Sequence, residues 1–232
     1  MNLHQQILST EYLPPPGLIA PPPWTLTGNG CILLYRFPKK FILNNGFLAD
    51  YQLAGFEGFL GSVMLVDYHT TPVGPYRELL FIPGLFKWNG RYSFSISKIY
   101  VSSHDSVWNG IENWGIPKEQ CDFELSNPTS TQTHFRAIKE KSPFFEATIE
   151  RGKFSFPLTT AFFPLRITQR LRNDWVLTQP QAKGKAYWGK LKEVSVNPEL
   201  FPDLSSLKPL ATLVVENFQM TFPPAQFEPF RH

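Results

Sequence analysis

Between Cys31 and Phe222 the chain falls into short runs in which β-branched and aromatic residues recur at a spacing of two, the period of a strand. In Arg91–Val101, for example, Tyr92, Phe94, Ile96 and Lys98 share one face, and Ser93, Ser95, Ser97, Ile99 and Val101 share the other. Runs of the same kind cover 31–37, 61–70, 76–84 and 91–103. Further runs at 135–140, 144–150 and 153–160 read as a meander, followed by 164–172, 185–196 and 210–222. The pattern predicts about ten short strands. Helical signals are confined to the stretch around residue 50, in NNGFLADYQLAG, and to His104–Trp114, where Asp105 or Ser106 is placed to cap the first turn.

So many strands with so few helices imply an antiparallel sandwich or a closed barrel, because closure hides the edges that such an apolar sheet would otherwise expose. No repeat or shift of composition divides the chain, which reads as one domain over 25–232 behind a proline-rich arm at 1–24. In that arm PPPGLIAPPPW (14–24) is stiff and extended, suited to packing over the barrel or a neighbouring subunit.

With 232 residues, 42% hydrophobic and 15% aromatic, the chain has ample material for a core. The N-terminus MNLHQQILST lacks a basic leader followed by an apolar run, and no segment approaches the roughly 20 apolar residues of a membrane span. A soluble, cytoplasmic protein is expected. The net charge of +3 is dispersed, and even the densest cluster, KGKAYWGKLK (183–192), reads as the solvent face of a strand rather than a nucleic-acid surface.

Common motifs are absent: the chain has no P-loop, dinucleotide glycine fingerprint, G-x-S-x-G elbow or H-E-x-x-H. His4, His69, His104, His134 and His232 lack metal-ligand spacing and read as isolated surface or strand residues. Cys31 and Cys121 read as two buried free thiols. No metal and no cofactor is expected.

One reactive group has a local sequence that looks arranged. In WNGIENWGIPKE (108–119), Pro117 fixes its own φ and pushes Ile116 toward an extended conformation, so Lys118 leaves a stiff corner. The plain alternative is a turn carrying a solvated Lys118–Glu119 pair.

Three segments bear on the choice. GPYRELLFIPG (74–84), SKIYVSS (97–103) and NGIENWGIPKEQCDFE (109–124) resemble, in order and spacing, the signature of the acetoacetate decarboxylase superfamily. Weaker similarity continues upstream through CILLYRF and downstream through 202–223, so it spans nearly the whole chain. The resemblance implies a mainly β fold, a cone-shaped antiparallel β-barrel with flanking short strands, few short helices and an apolar cavity. It also implies an active-site lysine, Lys118 here, that forms a Schiff base with a carbonyl substrate, and a carboxylate, Glu78, that orients substrate or moves protons. Tyr76, Trp114 and Glu119 are the accompanying candidates for substrate binding, and assembly into a homo-oligomer is implied.

The chemistry sets a condition on Lys118. Only the neutral amine attacks, so a pKa near 10.4 must fall by about three units, about 4 kcal/mol. Glu119, where the decarboxylase has a second lysine, opposes this by about 3 kcal/mol if it lies about 6 Å away at an effective dielectric near 20. Extended chain at 118–119 would turn it to the other face. Counting along the motifs places the decarboxylase's pocket arginine at about Gly28, a second glutamate at about Val63, and the arginine before the lysine at Ile111. These changes strip charge from the pocket and favour a larger, apolar carbonyl compound. Two functions follow: a Schiff-base lyase, decarboxylase or aldolase-dehydratase acting on a keto acid, ketone or aldehyde, or a non-catalytic barrel carrying a small apolar ligand.

Overall fold

The computed structural model of the chain describes residues 9–162 and 164–229; His4 and His232 lie outside them. The first strand, β1 (Trp24–Tyr35), leads to helices α1 (Lys39–Asn45) and α2 (Asp50–Gly55) and to strands β2 (Phe56–Gly58) and β3 (Gly61–Thr70). Next come β4 (Tyr76–Ile82), β5 (Leu85–Trp88), β6 (Arg91–Phe94), β7 (Lys98–Val101), helix α3 (His104–Trp114) and β8 (Lys118–Gln120). The long meander is β9 (Asp122–Thr129), β10 (Gln132–Lys139) and β11 (Ser142–Thr159). The chain ends with β12 (Ile167–Leu171), β13 (Asp174–Thr178), β14 (Gln181–Val196), β15 (Ala211–Phe222) and β16 (Gln226–Pro229).

Ten strands form one sheet in the order β8-β7-β4-β3-β1-β15-β14-β11-β10-β9, and six form a second, β16-β13-β12-β6-β5-β2. The large sheet curls into a half-barrel. Its strands carry register shifts at Gly28/Gly30, Thr148/Ile149 and Arg151/Ser155, irregularities of the kind that add local twist. Pairing is antiparallel except for β7 with β8 and β12 with β6.

The central strands β3 and β4 bury both faces, which is why they read as nearly continuous apolar runs. Val63 and Leu65 of β3 and Leu79 and Phe81 of β4 join a cluster with Leu33, Phe135 and Phe145, inside the curl. Met64, Val66, Tyr68, Tyr76 and Leu80 face a second cluster, shared with α3 and with Leu171 and Val176 of the small sheet. The candidate site lies in that second layer.

Several expected elements change on inspection. About ten strands become sixteen in the described residues, because β2, β5, β8, β9, β13 and β16 are too short or too polar for the pattern to mark, while the runs expected at 144–150 and 153–160 are one continuous strand, β11. The single strand expected at 91–103 is two strands in different sheets, β6 and β7. The break falls at Ser95–Ser97, where Ser95 turns inward: it accepts from Gln52 Nε2 at 2.8 Å and donates to Gln169 Oε1 at 2.7 Å. The helical signal near residue 50 is α2, and α1 precedes it without having been predicted. Helix α3 has the expected limits, but its cap is Ser103, whose Oγ accepts from Ser106 N at 3.3 Å, rather than Asp105 or Ser106.

The proline-rich segment lies along α3. Gly17 N donates to Asp105 Oδ1, Ala20 N donates to Asn109 Oδ1, and Asn109 Nδ2 and Asn113 Nδ2 donate to the carbonyls of Leu18 and Ala20. No helix among the described residues is long and apolar enough to cross a membrane.

Candidate active site

Helix α3 connects two parallel neighbours, β7 and β8, and its exit sets the position of Lys118. The helix ends in an αL motif: Gly115, at φ 62°, donates its N–H to Ile111 O, and Ile116 N donates to Gly110 O. Pro117 follows, and Lys118 N bonds to Ile116 O at 2.8 Å. The corner returns the chain so that Lys118, the first residue of β8, lies opposite Ile99 and directs its side chain across α3.

Three side chains meet the amine. Lys118 Nζ donates to Glu78 Oε2 at 3.1 Å, to Ser106 Oγ at 3.0 Å and to Tyr76 Oη at 3.4 Å. Tyr68 Oη donates to the other carboxylate oxygen, Oε1, at 3.2 Å, and its ring lies 4.7 Å from that of Tyr76. Glu78, Tyr76 and Tyr68 come from adjacent strands, where Val66 pairs with Glu78 and Tyr68 with Tyr76, so alternation aims all three at one point. Ser106 and Gly110 stand one helical turn apart on the face of α3 that meets the lysine. At Gly110 the helix must be bare: a Cβ there would fall 2.7 Å from Lys118 Cδ.

Of this cluster, Tyr68, Tyr76, Glu78 and Lys118 line a cavity of about 100 Å³ and give it its polar end. Its walls are apolar, with Trp24, Leu26, Met64, Ile99, Trp114 and Phe222 prominent among them. Trp114 packs edge-on against Trp24 and Phe222, and its Nε1 donates to Pro223 O at 2.8 Å.

Burial works to lower the Lys118 pKa, but the electrostatic and hydrogen-bonding pull of Tyr76 and Glu78 on the ammonium outweighs it, so the amine is held above its ordinary 10.5. The depressed pKa that the sequence reasoning required is therefore not a property of the free site. Burial also raises the phenols of Tyr68 and Tyr76 above their ordinary 10, so both are protonated at neutral pH.

Lys118, Glu78, Tyr76 and Trp114 thus come together around one cavity. Glu119 does not join them: extended backbone turns it to the opposite face of β8, where it pairs with Lys98 at 2.5 Å and Lys139 at 3.4 Å. The three counted positions are also displaced from the cavity wall. A Cβ on Gly28 would fall 2.2 Å from Asp67 O, and the neighbouring cavity residue of β1 is Leu26. Val63 faces the opposite cluster, and the wall residue beside it is Met64, while Ile111 packs within the α3 layer. Sequence reasoning missed Tyr68, Ser106 and Gly110. The i, i+4 pair of a buried serine and a glycine on an otherwise amphipathic helix was the signal for the latter two.

Among the described residues no group of three or more His, Cys, Asp and Glu side chains is arranged to hold a metal ion. Cys31 and Cys121 are free and buried, and burial pushes both thiols up to about 12.

Neither a protein-family description nor a curated protein matches the sequence. Solved structures do match. An acetoacetate decarboxylase superposes with a TM-score of 0.72 over 91% of each chain at 11% identity. The chain has the acetoacetate decarboxylase-like fold. Two others with this fold are the enduracididine biosynthesis enzyme MppR (TM-score 0.68, 15% identity, 92% of this chain and 90% of that one) and an acetoacetate decarboxylase-like enzyme from Sphingomonas wittichii RW1. The latter superposes with a TM-score of 0.68 at 11% identity, over 96% of this chain and 99% of that one.

Proposed function

We propose that the protein is a lysine-dependent lyase of the decarboxylase or aldolase-dehydratase kind, in which Lys118 forms a Schiff base with a small carbonyl substrate and Glu78 moves the protons. The observation that carries this reading is the Lys118–Glu78 contact of 3.1 Å at the floor of an otherwise apolar cavity. Support comes from MppR, a structure of similar fold described in complex with pyruvate and with the condensation product of pyruvate and imidazole 4-carboxaldehyde.

The raised pKa of the free amine defines how the first step must run. Entry of a carbonyl group displaces Nζ from Glu78, and the carboxylate takes one proton, leaving a neutral amine to attack the carbonyl carbon. Glu78 then returns that proton to the carbinolamine oxygen, water leaves, and a protonated imine remains on Lys118. Tyr76 and Ser106 are near enough to hold the oxygen as it develops charge. The imine draws in the electron pair released when a bond at the α-carbon breaks. Exposed Phe154, Phe162 and Trp188 offer apolar surface for the homo-oligomer that accompanies this reading.

A carrier of small apolar ligands is the second reading, favoured by one observation: in the free site the amine is protonated and paired. Reductive trapping separates the two. Incubation with keto acids, ketones and aldehydes followed by cyanoborohydride is expected to give a single adduct by intact mass, mapped to Lys118 and missing in Lys118→Ala. An absence of adduct from pH 6 to 9 would favour the carrier.

A further inference from the structure

We propose that the substrate of this site is an uncharged aldehyde or ketone, and that its enamine is made by removal of an α-proton and not by loss of carbon dioxide. The inference rests on the Schiff-base reading above and narrows its substrate class.

The cavity has no partner for a substrate carboxylate. Tyr68, Tyr76, Glu78 and Lys118 are the ionisable residues among the described residues of its wall. Lys118 and Glu78 cancel, and both phenols are protonated at neutral pH. A carboxylate entering the cavity would therefore leave one negative charge uncompensated among aromatic and aliphatic groups, a poor environment for an ion. Forming the imine does not help, since it only replaces the Lys118 ammonium by another single positive charge.

Hydrogen-bond donors are equally short. Trp24 Nε1 is engaged with Ala20 O at 2.9 Å and Trp114 Nε1 with Pro223 O at 2.8 Å. Thr160 Oγ1 exchanges hydrogen bonds with the backbone of Ala182 at the wall. The nearest guanidinium on β4, that of Arg77, belongs to the opposite face and pairs with Asp67 at 3.1 Å. Among the described residues of the wall, only the Lys118 cluster itself has side-chain donors to offer, and those are needed by the carbonyl oxygen.

The volume limits size: about 100 Å³ is well below the roughly 300–1,000 Å³ of a site for a drug-sized ligand, so the reacting end is a short apolar fragment and not the larger compound expected from the loss of pocket charge. For such a molecule the balanced sequence is condensation with the Lys118 ammonium to give iminium and water. The Glu78 carboxylate then takes a proton from the α-carbon, leaving a neutral enamine. The enamine can add to an aldehyde carbon while protonated Glu78 returns its proton to the forming alkoxide; in reverse the β-hydroxyl proton passes to Glu78 as the α–β bond breaks, its electron pair entering the iminium to give the enamine and a free aldehyde. No oxidant or cofactor enters.

The test compares acetoacetate with methyl acetoacetate, and pyruvate with methyl pyruvate, in cyanoborohydride trapping at Lys118, each rate divided by that of Nα-acetyl-lysine to remove intrinsic electrophilicity. The neutral esters are expected to trap at least about tenfold faster than the anions. Leu26→Arg or Met64→Arg, either of which adds a guanidinium to the wall, is expected to narrow that gap by restoring anion trapping. Equal normalised rates in the wild-type protein would overturn the neutral-substrate inference while leaving the Schiff base standing. No adduct with either member of the pairs would overturn the Schiff-base reading and this inference with it.

Discussion

Lys118 Nζ and Glu78 Oε2 meet at 3.1 Å with only 6% and 5% of their side chains exposed, and each also has a second partner, Ser106 and Tyr68 respectively. A buried pair of this kind is costly to break from one side, since the survivor is left as an unpaired charge or must neutralise.

Glu78→Gln should therefore act on chemistry and stability together. Burial still lowers the Lys118 pKa while one of the two groups that raise it is gone, so the pKa falls from its wild-type value and amine-selective labelling at Lys118 begins at lower pH than in the wild type. Folding stability drops by up to about 3–5 kcal/mol, read from chemical denaturation. Turnover falls because the proton carrier is missing, even as the amine becomes easier to label.

The wild-type pair also gives a signed pH dependence. Lys118 has a folded pKa raised above 10.5, so its contribution is fully present below that value and is lost as the pH climbs through the folded pKa. Denaturation followed from pH 8 upward should show this alkaline loss in the wild type, and Lys118→Met should lack that component.

Gly110→Ala places a Cβ 2.7 Å from Lys118 Cδ and 2.9 Å from Cε, so the lysine must move. The expected result is helix content unchanged by circular dichroism, a loss of about 1–3 kcal/mol in stability, and a marked slowing of Lys118 trapping.

Glu119→Gln provides the contrast. Its carboxylate lies on the other face of β8 with Lys98 and Lys139, and its side chain is 41% exposed. Stability should change by no more than about 1 kcal/mol, and the pH profile of Lys118 trapping should be unaltered.

Asn109→Ala removes the side chain that accepts from Ala20 N and donates to Leu18 O and Asp105 O. Proteolysis before Trp24 should accelerate, with a loss of about 1–3 kcal/mol for the buried groups left unpaired.

The lysine and its carboxylate were legible in the sequence because both sit in recognisable segments, and strict alternation made the two faces of β8 predictable. What escaped was set by packing between distant segments. Ser106 and Gly110 matter only once α3 is folded back over β8, and Tyr68 only once β3 pairs with β4. Counting to Gly28 and Val63 missed the cavity wall for a related reason: β1 changes register near Gly28, and β3 presents Met64 rather than Val63. The split of 91–103 into two sheets was hidden because Ser95 is buried by amide partners from residues 52 and 169, which a two-residue period does not record.

Exchange of a ketone's carbonyl oxygen with water tests the imine most directly, since each reversible condensation with Lys118 replaces that oxygen. With ¹⁸O-labelled butanone the wild-type protein should wash out the label catalytically, Glu78→Gln should do so more slowly, and Lys118→Ala should match buffer alone. Washout that persists undiminished in Lys118→Ala, or none in the wild type, would contradict the account.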